Sequence, residues 1–192
     1  MLKRLLLTGP LALALIAGAL PIRASTITYT AIMSGANEVP PTGSTATGFT
    51  TLTLTGDLLT VNVTFSGLTG GPASAAHIHC CTAPGSNAPV AVPFTGFPNA
   101  TSGTYSNTFD LTLASTYTAA FITAEGGTAA GAEAALIAAF NSGQTYSNIH
   151  NATFPGGEIR GFIAVTPEPN SLLLLGTGLI GVVATLRRRL QG

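Results

Sequence analysis

Two stretches of the chain, Phe49-Thr50-Thr51-Leu52-Thr53-Leu54-Thr55 and Leu59-Thr60-Val61-Asn62-Val63-Thr64-Phe65, interleave apolar side chains with threonine and asparagine at a period of two. Successive residues of a strand point to opposite faces, so each stretch can bury one face and wet the other. Gly56-Asp57 lies between them and reads as a hairpin turn. Further strands are expected over residues 27–33, 75–80, 106–113, 147–150 and 158–165. The segment 84–98 holds four prolines and two glycines and is expected to be an ordered loop. Several strands with turns between them predict an all-β fold, a Greek-key β-sandwich or barrel.

One segment departs from the pattern. Residues 128–141 read TAAGAEAALIAAFN. Alanine is the best helix former, and Ala132, Leu136, Ala139 and Phe140 can share one face. The spacing predicts one short helix crossing an end of the sheet, stopped by Asn141 to Gly143.

Neither end of the chain fits that domain. Residues 1–24 begin with Lys3 and Arg4, continue through an apolar run and reach the small residue Ala24. That is the plan of a secretory signal peptide cut by signal peptidase, and the run is short for a permanent span. At the other end, Pro167-Glu168-Pro169 precedes an apolar run from Leu172 to Leu186, and Arg187, Arg188 and Arg189 follow. Apolar then basic is a stop-transfer pattern. Fifteen residues rise roughly 22 Å against a hydrocarbon core of roughly 30 Å, so a transmembrane helix here needs its flanks or a thinned bilayer. The three parts in this order resemble a PEP-CTERM sorting signal, where a plain tail anchor on a proline-rich stalk is the other reading. The resemblance implies a protein secreted to the envelope of a Gram-negative bacterium that makes extracellular polysaccharide. It also implies transient anchoring in the inner membrane and cleavage by an exosortase.

Between these ends, over residues 25–166, Arg160 is the one basic residue against Glu38, Asp57, Asp110, Glu125, Glu133 and Glu158, a net of −5. A body with this balance offers no basic surface for nucleic acid and no polybasic attraction to anionic lipid. About 140 residues suit a single domain with one core.

The chemistry-bearing residues are few. His77 and His79 flank Ile78, so on a strand the two imidazoles face the same way. His150, the third histidine of the chain, ends another strand-like stretch. If those strands are neighbours, three imidazoles could converge as ligands for zinc or copper. Otherwise each donates to a backbone carbonyl and orders a loop. Cys80-Cys81 follows at once and is the whole cysteine content. In an oxidising compartment a vicinal disulfide is the leading expectation, in a strained eight-membered ring. Free thiols, an intermolecular bridge and thiolate ligation beside the histidines are the alternatives. Glu158 and Arg160 share a strand face and are expected to form a structural ion pair, unless Arg160 satisfies loop carbonyls or holds an anion. No serine sits in a G-x-S-x-G elbow and no carboxylate pair stands out, so the expectation is a protein without enzymatic activity.

Four motifs occur in order along the body: Ser34-Gly35-Ala36-Asn37-Glu38-Val39-Pro40-Pro41, Ala76-His77-Ile78-His79, Tyr146-Ser147-Asn148-Ile149-His150, and Pro155-Gly156-Gly157-Glu158-Ile159-Arg160-Gly161. Together they resemble the CHRD domain, named for repeats in chordin and found in bacterial secreted proteins. The resemblance implies an immunoglobulin-like barrel similar to copper/zinc superoxide dismutase. Three histidines fall short of the six that a bimetallic dismutase site uses, so that activity is not expected. Cys80-Cys81 stands where a glycine usually follows the histidine pair. Two functions are expected from these residues. One is a secreted matrix module that binds a protein or polysaccharide partner. The other is a mononuclear copper or zinc protein built on His77, His79 and His150.

Overall fold

The computed structural model describes residues 26–166 and 171–191. The expected signal peptide, residues 1–24, and Pro167, Glu168 and Pro169 lie outside the described residues. Nine strands form the body: β1 (Thr26–Ser34), β2 (Thr47–Thr55), β3 (Leu58–Ser66), β4 (Ala73–Cys80), β5 (Val90–Pro93), β6 (Gly103–Asp110), β7 (Thr145–Asn151), β8 (Ile159–Phe162) and β9 (Ala164–Val165). They make one sheet in the order β5–β4–β7–β8–β1–β2–β3–β6, and β9 pairs with β1. The pairings are antiparallel. The expected all-β class is what the chain adopts.

The threonine-patterned stretches become β2 and β3, paired from Thr47↔Ser66 to Thr55↔Leu58. Gly56 takes φ +59 at the turn, a conformation open to a residue without Cβ. Leu52, Leu54, Leu59, Val61, Val63 and Phe65 point inward and are buried. Apart from Thr50, the threonines point out, and some pair sideways, as Thr60 with Thr108 at 2.9 Å and Thr26 with Thr55 at 3.0 Å.

The sheet curls until its two edges approach. Phe94, just past β5, stacks on Tyr105 of β6 with ring centroids 5.4 Å apart. The Tyr105 hydroxyl donates to the Thr95 carbonyl at 3.1 Å. Inside the curl, the Thr50 hydroxyl of β2 donates to Ser147 of β7 at 3.0 Å, so this buried polar pair is satisfied.

Helices close one end. α1 (Ala119–Ala124) is capped by the Thr118 hydroxyl, which accepts from Phe121 N–H. α2 (Ala129–Ser142) is capped by Thr128, which accepts from Gly131 N–H, and stops at Gly143 with φ 68. Its buried face is Ala132, Leu136, Ala139 and Phe140, the four expected from the spacing. Phe140 packs against Tyr29 of β1 at 5.1 Å. Burying a side chain such as Leu136 or Phe140 is worth roughly 1.5–3 kcal/mol.

Three expectations need correction. The loop over 84–98 contains β5, because Val90, Ala91 and Val92 run free of proline and complete the edge beside β4. One short helix was expected in the body, yet α1 also forms; in the apolar tail, where a transmembrane helix was expected, the chain forms α3 (Ser171–Leu190). α3 ends in Arg187, Arg188 and Arg189, and no described helix is long and apolar enough to cross a membrane. The arginines take up its last turn, leaving too short an apolar stretch ahead of them.

Candidate metal centre

β7 is unusual: all seven of its residues are buried, although four of them, Thr145, Ser147, Asn148 and Asn151, are polar and uncharged. One face belongs to the core, with Ile149 fully buried. The other face, shared with β4 and β8, is covered by loops. The register sets His77 opposite Asn148, His79 opposite Tyr146 and Ala75 opposite His150. Asn148 is in turn opposite Arg160 of β8. Side chains opposite one another across a ladder share a face. His77, His79, His150, Tyr146, Asn148 and Arg160 therefore form a second, polar layer outside the sheet.

The three imidazoles converge as expected. Ring centroids are 4.9 Å apart for His77 and His150, 5.6 Å for His77 and His79, and 5.7 Å for His79 and His150. One ring nitrogen from each lies within 4.8 Å of the other two. Loop carbonyls orient two of the rings: His79 Nδ1 donates to Ala88 O at 2.8 Å and His150 Nδ1 donates to Pro155 O at 3.0 Å. Each donation places the lone pair on Nε2, the arrangement that presents an imidazole to a metal. Both Nε2 atoms and His77 Nδ1 are buried with no hydrogen-bond partner in the protein. Carbonyl bonding and convergence, posed by the sequence as alternatives, occur together here, one on each nitrogen of His79 and His150.

The rings are held neutral. Burial, reinforced by the nearby His150, lowers His77 to about 4. Burial also lowers His79 to about 4, against the Ala88 carbonyl, which favours the charged form. Burial lowers His150 as well, against the Pro155 carbonyl, which favours the charged form, with a smaller push in the same direction from Arg160. Neutral imidazoles are the form that coordinates a metal.

Arg160 braces this layer, and its partner is not Glu158. Its Nε donates to Glu38 Oε2 at 2.6 Å, with the side chains 1% and 2% exposed. Nη2 donates to Asn87 Oδ1 at 2.6 Å and Nη1 to the Ser86 carbonyl at 3.4 Å. The guanidinium carbon lies 4.3 Å from the Tyr146 ring centroid, and Tyr146 stacks on His79 at 4.6 Å. Of the three roles expected for Arg160, ion pairing and satisfying a loop carbonyl both hold, with Glu38 in place of Glu158. The reason is position. Ser34 of β1 is opposite Arg160, and the short 3-10 turn Gly35–Asn37 brings Glu38 over it. Burial pushes the Glu38 carboxyl above the usual range, against the pull of Arg160.

Glu158 is satisfied elsewhere. It accepts from Ser44 Oγ at 2.5 Å, from Thr69 N–H at 2.6 Å and Oγ1 at 2.8 Å, from Gly70 N–H at 3.2 Å, and from Asn151 Nδ2. Burial pushes its carboxyl up, but these donors outweigh burial and hold it below the usual range.

Cys80 and Cys81 are joined by a disulfide, the leading sequence expectation. Cys80 is fully buried toward the core and Cys81 is exposed. No thiolate is left to join the imidazoles.

Glu38, Asn87, Tyr146 and Asn148 were not singled out as site residues from sequence. One signal pointed to Glu38: a lone arginine buried in a body of six acids requires a carboxylate, and Glu38 is the acid within the first of the four ordered motifs.

The comparisons with known proteins agree with this layout. The CHRD domain profile matches residues 29–163 and the PEP-CTERM protein-sorting motif matches residues 165–189. No curated protein matches the chain, and no solved structure does. The sorting motif implies export and processing by an exosortase at the cell envelope. A match over most of the chain, spanning every strand that carries the three histidines, shows that this protein belongs to the CHRD domain family and carries a PEP-CTERM tail.

Proposed function

We propose that this domain is an exported metal-binding protein that holds one zinc or copper ion between His77, His79 and His150. The observation that carries the reading is the distribution of unpaired polar atoms. Among the described residues, seven buried side-chain nitrogen or oxygen atoms lack a partner, and six belong to His77, His79, His150, Asn148 and Glu38. Native proteins leave few such atoms, and each asks for an explanation. Three neutral, convergent imidazole nitrogens are explained by a cation. Contraction of the ring nitrogens by less than an ångström each would bring them to the roughly 2.0–2.1 Å of a metal–imidazole bond. Zinc and copper both suit nitrogen ligands of this kind.

The reading is of a binding protein without a reaction. Glu38, the carboxylate of this layer, is committed to Arg160, which leaves it poorly placed as a general base. The sorting motif supports a reading in which the protein reaches the envelope of a Gram-negative bacterium and is held transiently at the inner membrane by its tail until an exosortase releases it. Elemental analysis of the purified protein after exhaustive dialysis tests the metal. One ion per chain is expected, absent from His77→Ala and His150→Ala variants whose circular dichroism is unchanged. Metal-free wild-type protein would overturn the reading.

A second reading draws on another surface. The outer face of β1, β2, β3 and β6 is lined by threonine hydroxyls, with Ile32 75% exposed and Phe49 42% exposed. As a matrix module, the domain would meet a protein or polysaccharide partner there. Loss of partner binding in Phe49→Ser, with metal content intact, would separate that role from the histidine site.

A further inference from the structure

The disulfide stands between the strand that carries two of the imidazoles and the loop that orients one of them. β4 ends at Cys80, one residue after His79. The chain then runs through residues 82–89 and returns to the same layer. Cys80 N–H donates to Pro89 O and Thr82 N–H donates to Gln144 O, each at 3.1 Å. Between those anchors, Ala88 O receives His79 Nδ1, while Asn87 Oδ1 and Ser86 O receive Arg160. Ala88 N–H in turn donates to the Tyr146 hydroxyl at 3.0 Å. One short loop therefore supplies the carbonyl that fixes the His79 tautomer and two of the acceptors that hold the guanidinium. Its root is the Cys80–Cys81 bridge.

We infer that this bridge is a redox switch on the histidine site: the oxidised pair holds the loop in place for metal binding, and its reduction lowers the affinity. The inference rests on the three-histidine reading. The reductant is a dithiol of the envelope. Cys81 is exposed and Cys80 is buried, so a reductant thiolate attacks the Cys81 sulfur. The Cys80 thiolate leaves and takes a proton. The second thiol of the reductant then displaces the Cys81 thiolate, which also takes a proton, and departs as a cyclic disulfide. Two electrons and two protons have entered the protein. In the reduced chain the ring at the root of the loop is open, and Ala88 O no longer has a fixed position under His79. Export into an oxidising compartment makes the bridged form the resting state.

The test uses the purified protein, untreated or reduced with a dithiol that is then removed under nitrogen. Each sample is titrated with zinc against a competing chelator. Amide hydrogen exchange of residues 82–89 is followed in the zinc-free protein, and Cys81→Ser serves as a permanently unbridged chain. Reduction is expected to weaken zinc binding at least tenfold, to speed exchange across the loop, and to be reversed by reoxidation. Cys81→Ser is expected to match the reduced protein with or without dithiol. Equal or tighter zinc binding after reduction overturns the switch. An untreated protein that takes up no zinc sinks the metal reading itself, a different result from two forms that bind alike.

Discussion

Removing the Glu38 carboxylate exposes how far the polar layer depends on one ion pair. Both side chains are almost wholly buried, and Arg160 reaches Glu38, Asn87 and Ser86 with three of its donors. Glu38→Ala strands a guanidinium without its counter-charge, and breaking a buried pair from one side costs about 3–5 kcal/mol. For a body of this size each kcal/mol moves Tm by about 3 °C, so the midpoint falls by roughly 9–15 °C. Glu38→Gln keeps an acceptor for Nε and gives up the charge, for a loss of about 1.5–3 kcal/mol. The double variant Glu38→Leu with Arg160→Met removes both charges and should cost less than Glu38→Ala alone, because no unpaired ion stays buried. Urea unfolding of the three variants, with thermal melts alongside, measures all of these. A loss below about 1 kcal/mol in Glu38→Ala, or a double variant less stable than the single, would refute the argument that the pair is desolvated and mutually dependent.

Two further outcomes follow from the packing and the titrating groups. Leu136→Ala hollows the buried face of α2 and should cost about 2–5 kcal/mol by urea unfolding while leaving metal content unchanged, since Leu136 belongs to the apolar core and not to the polar layer of imidazoles. The metal-free protein should lose stability on acidification. His77 and His79 titrate at about 4 when folded and near 6.5 when unfolded, so between those values the unfolded chain binds more protons. Their contribution is fully present above 6.5 and is lost as pH falls toward 4. Glu38, raised by burial, acts in the opposite sense, and Glu158, held low, adds to the acid loss beneath the ordinary carboxylate range. The urea midpoint should therefore be lower at pH 5 than at pH 7.5, and His79→Gln should flatten the difference. A midpoint that rises on acidification would contradict neutral, buried imidazoles.

The legible part of this fold was the part written in side-chain period. Threonine alternation named β2 and β3 and their turn, and alanine spacing named the four buried residues of α2. β5 was hidden because a four-residue edge strand ending at Pro93 carries too few residues to show a period amid its prolines. α1 was hidden for a similar reason, being six residues long and dependent on its Thr118 cap. The histidine cluster was legible on one condition, that β4 and β7 be neighbours, and they are. What the sequence could not show was a polar layer outside the sheet. β7 reads as half-exposed because its outward residues are His150, Asn148 and Tyr146, yet the loops that carry Glu38, Ala88 and Pro155 cover this face. The same distance misassigned Arg160. Glu158 is two residues away and shares its strand parity, while Glu38 is 122 residues away and arrives only when β1 and β8 pair.

X-ray absorption at the zinc or copper edge of the purified protein tests most directly whether three imidazoles surround one ion. The account predicts a first shell of nitrogen or oxygen near 2.0–2.1 Å, with outer-shell scattering from three imidazole rings that falls by one ring in His77→Gln. A spectrum with sulfur in the first shell, or one unchanged by that substitution, would contradict it.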